Sequence, residues 1–146
     1  MNGAQLHLAL NHFPVVLSVV SLSLLIWSWK GKSADLKKAS LLLVIIGTLF
    51  SGAAYLSGEP AEDVLKSIGG FEKSLVHEHE EAAEFTLIIN CLSGLAAFMA
   101  LFFSKRNPKL SLRIFVAVVA LNLLSCATYL RTAHLGGLIR HEEIRK

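Results

Sequence analysis

Four long apolar blocks, roughly 13–29, 39–56, 85–103 and 114–130, alternate with short charged connections along the chain. Each block is close to the ~20 residues that a helix needs to cross about 30 Å of hydrocarbon. Backbone groups in lipid must pair within their own segment, so the blocks predict α-helices. The predicted fold is an all-α integral membrane four-helix bundle and a single domain, 1–146. Its spans are placed at about 8–29, 39–56, 82–103 and 111–131, with an outer loop at 57–81 and an outer tail at 132–146. The first block resembles a signal peptide in position only. No Lys or Arg precedes it, no small-residue cleavage site follows it, and Trp27, Trp29 and Lys30 end it as an interfacial anchor. It is read as a retained span.

Composition agrees: 146 residues are 53% hydrophobic, with a mean hydropathy of +0.56. Charge then sets an orientation. The first connection carries Lys30, Lys32, Lys37 and Lys38 against Asp35, and the third carries Lys105, Arg106, Lys109 and Arg113 without an acid. By the positive-inside rule both are cytoplasmic, which puts the N-terminus, the long middle connection and the C-terminal tail outside. All 6 histidines, and every one of the 11 acidic residues except Asp35, then fall on the outer side. The basic balance is a topological signal, and a nucleic-acid partner has no support. Cys91 and Cys126 fall inside spans, where packing is the expected role in preference to a disulfide or thiolate ligation.

The chain also aligns with itself. His7, His12 and Phe13 match His79, Glu84 and Phe85, and Ser51, Tyr55 and Leu56 match Ser125, Tyr129 and Leu130. This reads as two repeated hairpins with a pseudo-two-fold axis along the membrane normal. Steps of three and four link His7, Asn11, Pro14, Ser18 and Ser21 in the first span, and His79, Thr86, Asn90 and Ser93 in the third. Those stripes are expected to face inward, with His7 opposite His79. His12 and Glu84 form a second equivalent pair, turned toward neighbouring helices. The Gly136-Gly137 pair is expected to act as a hinge that folds the tail over the mouth of the bundle.

Nitrogen and carboxylate donors gathered at one end of a lipid-embedded bundle suit a cation or a cofactor. Ionisable groups at apolar blocks are costly, so Glu84 is expected to have a partner. The leading candidate ligands are His7, His12, His79, Glu84 and His134, for Zn, Fe or Cu. Glu59, Glu80, His77 and His141 are secondary, and on the helix end His77, Glu81 and Glu84 share a face, with solvated acids as the plainer alternative. His77 reads as a bystander. An alternative is a b-type-cytochrome-like electron carrier in which His7 and His79 clamp haem b and exchange electrons with quinol or a periplasmic partner. A third reading is a non-catalytic assembly subunit. Self-association and enzymatic activity are left open; no phosphate-binding loop or nucleophile-elbow motif occurs.

The His-x4-His-Phe-Pro start at His7–Pro14, with Gly58-Glu59-Pro60-Ala61-Glu62, His79-Glu80-Glu81-Ala82 and Gly136-Gly137-Leu138-Ile139-Arg140-His141-x-Glu143-Ile144, resembles an uncharacterised family of bacterial four-helix inner-membrane proteins. The similarity extends over nearly the whole chain, and the last three motifs are similar to a branch associated with Bacteroidetes-type genomes. Related domains of that family accompany cytochrome-like modules, which implies a redox setting without assigning an activity. Leu8 departs from the Pro that commonly follows the first His there.

Overall fold

A computed structural model describes residues 1–141; Glu143 and Ile144 of the tail motif lie outside them. The described chain is helical with short breaks: α1 (Gly3–Leu10), α2 (His12–Gly31), α3 (Ala34–Leu56), α4 (Gly58–Ile68), α5 (Lys73–Arg106) and α6 (Pro108–Arg140). Four continuous helical stretches are long and apolar enough to cross a membrane. The protein is therefore an all-α, multi-pass four-helix bundle.

Local chemistry sets the ends. Asn2 caps α1 by a capping box, its side chain accepting from Gln5 N–H at 2.9 Å while its own N–H donates to the Gln5 side chain at 3.0 Å. Ser33 caps α3 and Asn107 caps α6, whose first residue is Pro108. Lys32, with φ 50°, ends α2 in the left-handed region, and Gly69 and Gly70, with φ 73° and 71°, separate α4 from α5. The first span follows one helical path, interrupted in its hydrogen bonding only at Asn11, which keeps helical φ and ψ; Pro14 then falls in the first turn of α2, where its missing N–H costs least.

The spans form a ring: α2 packs on α3, α3 on α5, α5 on α6, and α6 returns to α2. Every neighbour is antiparallel. Toward the basic connections the centre is apolar, with Leu25, Leu41, Val44, Ala97, Ala100, Phe115 and Val118 buried together. Ser111 seals that end by donating to the Ala100 carbonyl at 2.8 Å. At 1.5 Å per residue, the 34-residue α5 is about 51 Å long, well beyond the ~30 Å of hydrocarbon. The excess lies at the end away from the basic connections, because the basic loop closely follows the apolar block at the other. There α4 continues the line of α3 and packs along α1, so tightly that a side chain on Gly3 would overlap the Pro60 carbonyl.

Two expectations are corrected. Gly136 and Gly137 lie inside α6, which runs unbroken to Arg140, so the pair is no hinge. A Cβ on Gly136 would lie 3.0 Å from Cε1 of the His79 ring, and the glycine lets α6 approach that imidazole. Both cysteines are free: Cys126 is half-buried, whereas Cys91 is exposed on the outside of the bundle and does not serve packing.

Candidate functional site

The end of the bundle opposite the apolar cluster brings together two histidines from different hairpins. His7, on α1, reaches the end of α3, with Nδ1 at 3.1 Å from the Ala54 carbonyl and 3.0 Å from Ser57 Oγ. Ser57 Oγ itself donates to the Ala54 carbonyl at 2.7 Å. A carbonyl only accepts, so the Nδ1 facing it carries the proton and the lone pair of the neutral ring is on Nε2. His79, on α5, repeats the arrangement on the other hairpin: its Nδ1 lies 3.0 Å from the Thr132 carbonyl of α6. Thr132 is held in turn, its hydroxyl 3.0 Å from Thr86 Oγ1 and bonded to the Ala82 and Thr128 carbonyls.

The two rings meet edge to face, with centres 6.4 Å apart and planes at 88°. Both are partly buried. Each imidazole thus has one nitrogen fixed by a backbone carbonyl and the other available as a base or a ligand, which is how a metal-ligating histidine is usually oriented.

The other candidates do not join them. His12 is exposed, and its Nδ1 bonds the Leu8 carbonyl of the preceding turn at 2.9 Å. Glu84 is exposed and, among the described residues, has neither a hydrogen bond nor an ion pair, so the partner expected for it is not supplied by this fold. Helical phase accounts for His12, which lies five residues beyond His7 and is turned about 140° around the same helical path. His134 is exposed on α6. His141 follows the end of that helix, also exposed. Glu59 is exposed at the start of α4. His77 and Glu80 line a groove between α4 and α5 with Glu62, but Glu62 is paired with Lys66 at 2.8 Å and His77 with Glu81 at 3.3 Å. Among the described residues no three His, Cys, Asp or Glu side chains converge on a common point.

Sequence reasoning missed Ser57 and Thr132 as the groups behind the imidazoles. Their signal was weak: a hydroxyl residue one position beyond the first Ser-x3-Tyr-Leu motif and two beyond the second.

Ring order and the histidine pair together define a class, a multi-pass four-helix membrane protein with a two-imidazole site at one end. Compared with protein-family models, curated proteins and solved structures, the chain has no match in any of the three.

Proposed function

We propose that this is a bacterial inner-membrane protein, with periplasmic termini, that holds one transition-metal ion between Nε2 of His7 and Nε2 of His79. The observation that carries the reading is the spacing of two rings whose Nδ1 atoms are already engaged. The ring centres are 6.4 Å apart, edge to face, and rotation of one ring would turn both Nε2 atoms toward a shared ion at metal–nitrogen bonds of about 2.0–2.1 Å. Imidazole donors suit Zn, Cu or Fe. With only two protein ligands the ion keeps open positions, which favours exchange with a periplasmic partner or redox work over a closed structural role. The ring order, in which the two hairpins are interchangeable, supports duplication of one hairpin, and the His-x4-His-Phe-Pro resemblance supports the membrane placement.

The absence of a third converging ligand among the described residues favours one other reading. A b-type haem asks the protein for two axial histidines and no more, and His7 and His79 would supply them. Purified protein in detergent distinguishes the two. One equivalent of metal in a colourless protein, lost in His7→Ala and His79→Ala, supports the ion. A Soret band with sharp reduced bands replaces it with haem, and a colourless, metal-free protein after metal exposure removes both.

A further inference from the structure

Inward from the two histidines, the outer half of the bundle axis is polar. On one side, Thr132 meets Thr86, Asn90 donates to the Thr86 carbonyl at 3.0 Å, and Thr48 lies 3.0 Å from the Asn90 carbonyl. On the other, Asn122 donates to Ser21 Oγ at 2.9 Å and Cys126 approaches Ser18 Oγ at 3.6 Å. Asn90 and Asn122, 6% and 3% exposed, line one cavity with Ser18 and Ser21. It has room for about one water molecule.

Two hydroxyls on the same helices have no hydrogen-bond partner among the described residues. Ser93 Oγ, on a residue 1% exposed, lies one turn along α5 from Asn90; Tyr129 OH, on a residue 6% exposed, lies two turns along α6 from Asn122. The Tyr129 hydroxyl is beside Ser51 but not in hydrogen-bonding geometry. Asn11 Oδ1, one turn from His7, is a third such atom. Unpaired polar groups enclosed by helices and lipid are costly, and internal water is the ordinary remedy. Further toward the cytoplasmic end, Leu25, Ala97, Ala100, Phe115 and Val118 offer water nothing to bond, and the buried hydroxyls of Ser28, Ser40 and Ser111 are each spent on a backbone carbonyl.

We propose that the outer half of the axis is a blind inlet for water, entered beside His7 and His79, ending near Asn90 and Asn122, and carrying proton exchange between the outer aqueous phase and the middle of the bundle. The inlet does not depend on metal binding at the two histidines. A dry polar seam that only ties helices together is the opposing account.

Cys126 is a built-in reporter, because its thiol lies on this axis, and Cys91→Ala removes the outward-facing thiol. Infrared spectra of the full chain in lipid vesicles, metal-free and moved into D2O, read conversion of S–H to S–D. The comparison is Cys91→Ala/Cys126→Ala/Val118→Cys, a substitution of similar volume that places a thiol in the apolar cluster. Cys126 is expected to convert at least about 100-fold faster than the thiol at position 118, which can exchange only when the packed helices open. Equal, slow conversion would show a dry seam and overturn the inlet. Equal, fast conversion would show water along the whole axis and overturn its blind end, and faster conversion at position 118 would place the entrance on the cytoplasmic side. Retention of fast Cys126 exchange in the His7→Ala/His79→Ala protein is expected, so failure of the metal reading leaves this result standing.

Discussion

Gly136 of α6 lies against the imidazole of His79, close enough that a methyl group there would stand 3.0 Å from Cε1 and 3.3 Å from Nδ1. The glycine is thereby part of the ring's seat. Gly136→Ala should separate binding from folding. Alanine favours a helix interior over glycine by about 1 kcal/mol, which offsets the crowding. The melting temperature is expected to hold or rise slightly, while metal affinity falls by roughly tenfold as the ring is pushed off line. Calorimetry and a metal titration on the same sample check both halves.

His7→Ala and His79→Ala are each expected to remove stoichiometric metal, and the double substitution to do little more, because two ligands of one ion act as a unit. His12→Ala, Glu84→Gln and His134→Ala should retain it. Elemental analysis after dialysis decides the matter, and loss of metal in any of the latter three would restore the wider ligand cluster. In the unsubstituted protein, loading should fall on acidification as protons compete for Nε2.

Ser57→Ala removes one of the two groups beside His7 Nδ1 and keeps the Ala54 carbonyl. A drop in affinity of at most about tenfold is expected. Thr132→Val keeps the carbonyl that holds His79 and loses the hydroxyl that links α6 to Thr86 and Ala82. Its effect should therefore be on stability, about 0.5–1.5 kcal/mol, with metal content near normal. Comparing unfolding in mild detergent with metal content for both variants tests the division.

Across the middle of the bundle, the bond from Asn122 to Ser21 joins α6 to α2, the ring contact that closes the bundle. A double-mutant cycle of Asn122→Ala and Ser21→Ala is expected to give a coupling of about 0.6 kcal/mol, typical of hydrogen bonds between membrane helices, measured by reversible unfolding. A coupling near zero would mean that the pair is replaced by water in solution.

The hydropathy pattern made the four spans legible because lipid leaves helices as the one way to satisfy their backbones. His7 and His79 were also legible, through self-alignment and helical phase. What escaped was whatever depends on close approach. His12, about 140° around the helix from His7, was legible as lying off the inward face, though not as bonding the carbonyl of its own preceding turn. Gly136 looked like a hinge, since a glycine needed for a turn and a glycine needed for contact read alike in one dimension. Glu84 looked costly enough to demand a partner, yet it lies on an exposed face just above the apolar block. The hydrogen bond from Asn122 to Ser21 joins positions 101 residues apart, beyond any local pattern.

The packed group around Leu25, Phe115 and Val118 has an electrical side. Charge is expensive to bring into so apolar a volume, and the Lys37 ammonium meets it only over the Phe115 ring, 4.5 Å from its centre, while the opposite end carries titratable nitrogen. The two ends of one bundle thus differ in dielectric character, with imidazole and hydroxyl groups at one and packed hydrocarbon at the other.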